Sequence, residues 1–431
     1  MKHNATLNSK FILLSLLTVM LASPAYAVGS AGIETNIYST RTAARANAAV
    51  ADPREASTIA FNPAGMTEVT PREVVFGSTF IATDFDYDGR AEGRGQESAS
   101  RNIAPIPHFY MTTDTPIEDL YLGIGANAPF GLVARYSSVG AFQYIAHFNE
   151  VKSMAYTVSA AYKVNDAFSI GAGWTYMDLS LYQTGKFNRT LVAGTPDDAP
   201  FEYNVSGPGQ GWNAGFLWKL TDKGTVGAYY RSEIRNHMQG EMSTHNLTGN
   251  LATVFGTGGG NVTSADTDIS SPSNATIGYK YQLNEKTDLE FDIGWTGWSS
   301  NDTLETDFGT SNAVLVGFEE IHRDWHDTWS FHLGGSHVLN EDMTLSAGYF
   351  YMQRAVGNGT YTNEAPDGNR NGFNIGFAKK WNNWVIDFGY SAVIIGEIRV
   401  ENIKGNTNNT DIDGTYKGFA QAITTGVRRA F

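Results

Sequence analysis

Two histidines four positions apart, His322 and His326, stand beside Asp324 and Asp327 in one short stretch of the chain. Imidazole and carboxylate groups are common zinc ligands, so this stretch could hold a metal ion if a helix aligned the groups. No helix signal surrounds them, which favours ordinary solvated loop charges. The sequence also contains no nucleophile-elbow, phosphate-loop or zinc-protease motif. We therefore expect no catalytic residue, no metal and no other cofactor, and a protein that is not an enzyme.

A long predicted loop between positions 246 and 260 carries apolar residues at the spacing of one helix face. These residues are Leu247, Leu251, Val254 and Phe255. Such a stripe either packs onto its own protein or, if it is exposed as a groove, captures acyl chains or aromatic hydrocarbons. A cargo with a carboxylate would also need a cation, and Lys186 and Arg189 lie at the outer end of a predicted strand. These side chains are the candidates for ligand capture, and loop packing with solvated charges is the alternative.

The amino-acid composition limits the classes of protein to which these candidate side chains could belong. The chain of 431 residues has no cysteine, a formal net charge of -14, 46 glycines and 13% aromatic residues. Nucleic acid is not an expected partner, because phosphate binding needs clustered Lys and Arg. The lack of cysteine excludes a disulfide framework and a thiolate metal site. High aromatic and glycine content is typical of outer-membrane barrels, where rings form girdles at both membrane interfaces.

Residues 1–27 have the three parts of a secretory signal peptide. Lys2 and Lys10 provide a basic start, an apolar run covers residues 11–22, and residues 25–27 (AYA) place small side chains at the cleavage offsets. The apolar run is too short for a transmembrane helix, which needs about 20 residues. We expect cleavage after Ala27 and export of the mature chain.

Residues 28–70 are predicted to form a small helical hatch, or plug. Residues 39–59 are rich in helix formers, and an Asp-Pro pair at positions 52–53 suits the start of a second short helix. A turn follows at Asn62, Pro63, Ala64 and Gly65. This turn is rigid because proline cannot continue a helix, while glycine permits unusual backbone angles. The stretch has few large apolar residues, so it is either held by what surrounds it or is a surface linker.

After position 70 the sequence alternates as strands do, and one pattern recurs four times. Each copy ends an apolar strand, crosses a short turn of Asn or Thr with an acid, and starts a new strand, with copies beginning at Tyr162, Trp218, Tyr281 and His337. Two further tight turns fit the series, at residues 114–119 and 379–383. Short turns at one end and long loops at the other are typical of outer-membrane barrels. Counting strands around these turns predicts an all-β, transmembrane, antiparallel 14-stranded barrel over residues 71–431.

The stretch 288–298 illustrates the two faces of the predicted wall. One face carries Leu289, Phe291, Ile293 and Trp295, and the other carries Asp288, Glu290 and Asp292. Three carboxylates cannot face lipid cheaply, so they must point into the barrel. A soluble sandwich would also alternate, but Phe431 resembles the signal that the barrel-assembly machinery reads, although Arg429 stands where an apolar residue is more usual. That machinery is an expected partner during biogenesis.

Several short motifs occur in a definite order along the chain. They are residues 30–32 (SAG), 62–65 (NPAG), 123–132 (GIGANAPFGL), 325–329 (WHDTW) and 366–370 (PDGNR). Together they resemble the long-chain fatty-acid transporter (FadL-type) family of Gram-negative outer membranes, over the whole mature chain. One departure is that the family's acidic-x-Pro-Val segment is replaced by residues 353–356 (QRAV). The resemblance implies a fourteen-stranded barrel in the cell outer membrane, plugged by an N-terminal hatch.

The resemblance also implies a route for cargo. In the family, the strand that matches residues 121–132 is kinked inward and makes an opening through the side of the barrel. Here a proline interrupts that strand, where it removes a ladder hydrogen bond. The lateral opening is therefore placed at Asn127, Ala128, Pro129, Phe130 and Gly131. A strand that simply ends there is the alternative.

The expected function is outer-membrane transport of long-chain fatty acids or similar hydrophobic molecules, captured at the outer loops and released laterally through the kinked strand. The expected partners are such a molecule and outer-membrane lipid, and the protein is expected to be a monomer. Two other classes stay open at this level. A general porin or adhesin-like barrel would lack the plug and the kinked strand, and an outer-membrane hydrolase would need a Ser/His or Asp/His pair.

Overall fold

Fourteen antiparallel strands form a closed barrel, as the sequence predicts. The computed structural model describes residues 32–35, 37–93, 95–255, 260–310, 312, 314–401 and 412–431. The predicted signal peptide and the first positions of the predicted hatch lie outside these residues. The barrel closes because its first strand, β1 (Glu73–Asp88), pairs along its whole length with its last strand, β14 (Gly414–Ala430).

Each barrel strand pairs with its neighbours in chain order. The strands between β1 and β14 are β2 (Ile103–Asp114), β3 (Leu120–Asn127 and Gly131–Arg135), β4 (Phe148–Lys163), β5 (Phe168–Phe187), β6 (Ala199–Lys219), β7 (Gly224–Arg231 and Ile234–His245), β8 (Gly260–Ser271 and Asn274–Asn284), β9 (Thr287–Thr296), β10 (Thr328–Asn340), β11 (Met343–Met352), β12 (Arg370–Trp381) and β13 (Trp384–Val400). Three short strands lie in the long loops, at Gln96–Ser98, Thr303–Asp307 and Glu320–His322.

All helices in the described residues are short. They are α1 (Thr40–Ala44), α2 (Gly249–Val254) and 3-10 turns at Ala56–Ala60, Pro63–Thr67, Arg90–Glu92, Arg189–Leu191, Trp298–Asn301 and Leu315–Phe318. Within this part of the chain, no helix is long and apolar enough to cross a membrane.

Tight turns join the strands at one end of the barrel, at all six predicted positions. Their polar side chains bond to the turn backbone. Asn165 Oδ1 accepts hydrogen bonds from the N–H groups of Ala167 and Phe168 at 2.9 Å each, and Thr221 Oγ1 accepts one from Gly224 N–H at 2.9 Å. The recurring Asn- and Thr-containing pattern therefore indicates turns that close within a few residues.

The two predicted faces of the wall are present. Leu289 and Phe291 are 42% and 45% exposed on the outer face, whereas Asp288 and Glu290 are 2% and 1% exposed on the inner face. Exposed aromatic residues form two levels on the outside, with Tyr162, Trp218, Tyr281 and Trp381 near the tight turns and Tyr156, Trp174, Trp212 and Trp329 nearer the long loops. These levels are the interfacial girdles of a membrane barrel.

The described residues between 32 and 70, here called the inner segment, lie inside the barrel. Helix α1 begins after Ser39, whose hydroxyl accepts a hydrogen bond from Thr42 N–H at 3.2 Å. It ends after about one turn, where Ala46 and Asn47 adopt φ angles of 56° and 62°. The second helical stretch begins at Ala56, later than the Asp-Pro pair suggests, because Asp52 and Arg54 extend to charged groups of the wall.

A buried network of charges holds the inner segment against β8 and β9. Its members are Arg41, Arg45, Asp52, Arg54, Lys280, Asp288, Glu290 and Asp292. Arg45 is central, because its guanidinium lies 2.6 Å from the Asp288 carboxylate and 3.5 Å from those of Glu290 and Asp52. The carboxylates on the inner face of the wall therefore find their counter-charges in the inner segment.

Replacing Arg45 tests this network. Arg45→Gln leaves buried carboxylates without their main partner, so we expect stability to fall by about 3–5 kcal/mol. The matched control is Arg101→Gln, whose exposed ion pair with Asp84 contributes less than about 1 kcal/mol. Heat-modifiability on gels gives the unfolding temperature of each variant. Equal unfolding temperatures for the two variants would contradict a central role for Arg45.

Candidate functional site

Strand β3 is broken, and the break removes its pairing with β2. The residues before the break, Leu120–Asn127, pair with β2 on one side and β4 on the other. The residues after it, Gly131–Arg135, pair with β4. In the described part of the chain, residues 103–107 of β2 pair with β1 and have no ladder partner in β3. The barrel wall therefore has a gap between β2 and the second half of β3.

The backbone of the break turns inward and bonds to the inner segment. Pro129 has no N–H, and its carbonyl oxygen accepts a hydrogen bond from Thr35 N–H at 2.8 Å. Gly131 N–H donates to the carbonyl oxygen of Ile33 at 2.9 Å, and Phe130 N–H donates to Ser153 Oγ at 2.9 Å. The residues predicted for the opening, 127–131, thus lie at the break, and residues 33–35 occupy the position of a ladder partner.

Prolines also occur in β2, the strand on the other side of the gap. Pro105 and Pro107 lie in the stretch of β2 that borders the gap. Proline lacks the backbone donor of a central strand and is found mainly at sheet edges. The gap is bounded at its outer end, where Ser100 N–H donates to the carbonyl oxygen of Arg135 at 2.7 Å. Prolines on both strands therefore favour an unpaired stretch here.

A buried ion pair holds the inner segment beside the break. Arg231 Nη2 lies 2.8 Å from Glu34 Oε1, and both side chains are almost fully buried. The Arg231 guanidinium carbon lies 5.2 Å from the ring centre of Phe130, which packs edge-on against Trp298. Removing one partner of a buried pair leaves an uncompensated charge. The pair therefore ties residues 32–35 to the broken strand.

An apolar cavity of about 340 Å³ lies on the long-loop side of the inner segment. Its apolar lining includes Ile33, Leu179, Leu181, Phe201, Met242, Ile269, Leu304, Phe308, Phe318, Ile321, Trp325 and Val356. Ile33 belongs both to this lining and to the hydrogen bonds at the break. Residues 33–35 thus stand between the cavity and the gap in the wall.

Arg323 and Glu364, from different loops, are the partly buried charged side chains of the cavity lining, whereas Glu320 and His322 border it at exposed positions. The Arg323 backbone is held by hydrogen bonds with Asp302 and Thr360, and its guanidinium carbon lies 5.5 Å from the ring centre of Trp325. In the described part of the chain, this guanidinium has no ion-pair partner. Burial lowers the pKa of Arg323 and raises the pKa of Glu364. An apolar cavity with one unpaired cation suits an apolar molecule that carries a carboxylate.

The Glu364 carboxylate is held by neutral donors. Gln183 Nε2 donates to Glu364 Oε1 at 3.1 Å, and Thr362 Oγ1 donates to Glu364 Oε2 at 3.3 Å. Burial raises the pKa of this carboxyl, and the nearby Arg323 guanidinium together with the two neutral donors offsets only part of that effect. Glu364 therefore places negative potential near Arg323 when it is ionised.

The apolar stripe predicted for ligand capture lies around α2. Leu247, Leu251 and Phe255 are buried, and Val254 is exposed. Phe255 packs against Phe187, with ring centres 5.7 Å apart, and Phe187 in turn packs against Phe318 of the cavity wall. The stripe is therefore a layer behind the cavity, and capture of cargo by it stays a prediction.

The two cations predicted to meet a carboxylate lie apart from the cavity lining. Lys186 Nζ donates to Gln143 Oε1 at 3.3 Å, and Arg189 Nη1 donates to the carbonyl oxygen of Pro196 at 3.3 Å. Pro196 lies beside Gly249 at the start of α2, so Arg189 is near the stripe but, like Lys186, is not part of the cavity lining. Arg323 has the better position for recognition of a carboxylate.

The histidines and aspartates at positions 322–327 point to different partners. His322 Nε2 lies 3.3 Å from Glu320 Oε1, and Asp327 Oδ1 accepts a hydrogen bond from Ser299 N–H at 3.0 Å. Across the described ranges, no group of three His, Asp or Glu side chains is arranged to hold a metal ion.

Sequence reasoning did not single out Arg323 and Glu364. Arg323 lies between Glu320 and Asp324 as a lone cation in an acidic stretch, and Glu364 lies two positions before the PDGNR motif. These positions are local hints that each residue has a role. Nothing in the spacing of the two residues indicates that the barrel brings them to one cavity.

A membrane β-barrel with an apolar cavity beside a break in its wall is a channel for hydrophobic compounds and not an enzyme. The chain belongs to the family described as outer membrane protein transport protein (OMPP1/FadL/TodX), whose model matches residues 19–431. It is therefore an outer-membrane protein that transports hydrophobic compounds.

The relatives match over most of their length. A putative outer membrane protein of Neisseria meningitidis serogroup B is 26% identical in an alignment that covers 94% of this chain and 96% of the relative. A long-chain fatty acid transport protein of Escherichia coli O6:H1 is 24% identical over 403 residues, which cover 85% of this chain and 87% of the relative.

Solved structures share the fold at low sequence identity. A Pseudomonas aeruginosa FadL homologue superposes with a TM-score of 0.82 at 21% identity, covering 93% of this chain and 100% of that one. The Ralstonia pickettii toluene transporter TbuX gives a TM-score of 0.67 at 16% identity, covering 91% and 98%.

The ion pair beside the break predicts how firmly residues 32–35 are held. The chain has no cysteine, so Thr35→Cys provides a unique site for labelling with a polar maleimide. Adding Arg231→Met should speed labelling at least about tenfold, because loss of a buried pair costs more than about 1.4 kcal/mol. Adding Arg235→Met instead removes an exposed pair with Asp268 and should leave the rate unchanged. The same slow labelling in both variants would show that the pair does not hold the segment.

Proposed function

We propose that the protein takes up long-chain fatty acids and releases them sideways into the membrane between β2 and β3. The observation that carries this proposal is the loss of ladder pairing between residues 103–107 and the second half of β3. The cavity and the gap lie on opposite sides of residues 33–35. Cargo bound in the cavity would reach the gap after a displacement of these few residues.

Lateral release follows from the chemistry of the cargo. An acyl chain that leaves an apolar channel for the bilayer core stays out of water. Release into the periplasm would instead hydrate the chain, at a cost of about 0.8 kcal/mol per CH₂ group. Apolar side chains pack around the break, with Ile81 and Ile106 beside Ala128. The exit through the wall is therefore the path of lower free energy.

A fatty acid is favoured over a neutral hydrocarbon by Arg323. A guanidinium in a largely apolar cavity is stabilised by a carboxylate that can accept two of its N–H groups. A neutral aromatic hydrocarbon would fill the same apolar surface but would leave the cation with only the electrostatic attraction of Glu364. The E. coli relative that is named a long-chain fatty acid transport protein supports the same substrate class.

Restoring backbone donors on both sides of the gap tests lateral release. The triple variant Pro105→Val, Pro107→Val and Pro129→Val adds donors and raises strand propensity, so the barrel should assemble and the gap should narrow. We expect uptake of oleate to fall at least about tenfold, while binding in the cavity persists. The control is Pro208→Val, which makes the same replacement within β6, away from the gap.

Radiolabelled oleate uptake and oleate binding are measured on each assembled variant. Uptake at the original rate by an assembled triple variant would show that cargo leaves by another route. Loss of binding together with uptake would place the defect in the cavity and would also contradict the proposal.

The cavity predicts opposite effects for Arg323 and Glu364. Arg323→Met removes the cation and should weaken oleate binding about 10- to 100-fold, because a charged hydrogen bond contributes about 1.5–3 kcal/mol. Glu364→Gln removes the repelling carboxylate and should strengthen binding severalfold. Because burial raises the pKa of Glu364, a fall in pH that protonates Glu364 while oleate is still ionised should strengthen binding in the parent protein but not in Glu364→Gln.

Toluene has no carboxylate, so its binding is compared with that of oleate. Arg323→Met should leave toluene binding unchanged, and Arg189→Met, which alters an exposed loop cation, should leave both ligands unchanged. Normal oleate binding by Arg323→Met would contradict the proposal that Arg323 selects fatty acids as the cargo. Equal losses for oleate and toluene would mean that Arg323 only shapes the cavity.

A further inference from the structure

One arginine lies on the outer surface of the barrel, close to the tight-turn end. Arg429 in β14 is opposite Trp384 in β13 and Val74 in β1. Residues opposite each other in a ladder point to the same face, and Trp384 shares its face with the exposed Ile386 and Phe388. Arg429 therefore points out of the barrel, away from the inner segment.

Two aromatic rings enclose the Arg429 guanidinium. Its central carbon lies 5.1 Å from the ring centre of Trp384 and 4.7 Å from that of Phe431. The ring faces stabilise a cation but offer no lone pairs to its N–H groups. Arg429 Nε is buried and has no hydrogen-bond partner, and no ion pair joins this guanidinium to another described residue. The arrangement holds a cation in place and leaves its donors open.

Four other cations at the same end of the barrel have carboxylate partners, whereas the exposed lysines Lys223, Lys286 and Lys380 have no ion-pair partner among the described residues. The ion pairs are Arg72 with Asp114 at 2.7 Å, Lys163 with Asp166 at 2.8 Å, Lys219 with Glu68 at 2.7 Å and Lys379 with Asp342 at 3.5 Å. The neighbouring Arg428 points inward, where Glu55 and Asp387 are its partners. Arg429 differs from these because aromatic rings replace the carboxylate, so an acceptor has to come from outside the chain.

The position of Arg429 identifies that acceptor. Exposed aromatic residues near the tight turns mark the level of the lipid headgroups, and short turns of outer-membrane barrels face the periplasm. Phospholipid phosphates are the anionic groups of a bilayer at this level. We propose that Arg429, Trp384 and Phe431 form a binding site for the phosphate group of one phospholipid in the inner leaflet.

The chemistry of the three side chains fits a phosphodiester. A guanidinium presents parallel N–H groups that match two phosphate oxygens, and rings on its faces keep it in one orientation. The acyl chains then extend over the apolar outer surface beside Val427 and Ile386. Because the site contacts only the phosphate group, it binds zwitterionic and anionic phospholipids alike.

Native mass spectrometry of delipidated barrel in neutral detergent tests the site. Dioleoylphosphatidylethanolamine, dioleoylphosphatidylglycerol and inorganic phosphate are titrated separately. The parent protein should bind one molecule of either lipid tightly, and Arg429→Gln should bind both about tenfold more weakly. Arg72→Gln is the matched control, since it removes a cation at the same end whose partner is Asp114. It should bind both lipids as the parent does.

If Arg429→Gln does not assemble, a second variant tests the same site. Trp384→Leu keeps the outward face apolar and the cation intact but removes one ring, and it should weaken binding of both lipids severalfold. Unchanged lipid binding by either assembled variant overturns the site. Binding of the anionic lipid alone overturns recognition of the phosphate in favour of net charge. Phosphate binding as tight as lipid binding overturns the assignment of a phospholipid.

Discussion

The buried charges between the inner segment and the wall are the interaction on which the rest of this structure depends. The inner segment buries the carboxylates on the inner face of β9, and a buried charge without a partner is costly. Arg45 supplies the counter-charge, and Asp292 accepts hydrogen bonds from the backbone N–H groups of Ala49 and Val50. The barrel and the inner segment therefore stabilise each other.

This contact requires the two backbones to approach closely. A side chain at Gly334 or Gly348 in the wall would collide with the backbone of Arg45. These glycines are in the middle of strands, where glycine weakens a sheet unless another chain segment comes near. Their presence is explained by the inner segment. The high glycine content of the chain thus reflects close packing inside the barrel as well as bends.

The backbone groups at the gap in the wall also need hydrogen-bond partners. Backbone polar groups inside a membrane must find partners, so a broken strand is stable only if something replaces the lost ladder. Ile33, Thr35 and Ser153 replace it for the break at Pro129. Any opening of a path from the cavity to the gap has to disturb these hydrogen bonds and the pair between Glu34 and Arg231. The inner segment is therefore both the partner of the break and the barrier in front of it.

Local patterns in the sequence determined the number of strands and the two faces of the wall, and Pro129 marked the interruption of β3 that the family resemblance interprets as an opening. Each of these is a short-range property, such as the side chain of Asn165 bonding to its own turn or Pro129 lacking a donor. Only the tertiary structure decided that Arg323 shares a cavity with Glu364, and that residues 103–107 of β2 have no ladder partner in β3 among the described residues. Those contacts join residues far apart in the chain. They depend on the register of a closed barrel, which no local pattern encodes.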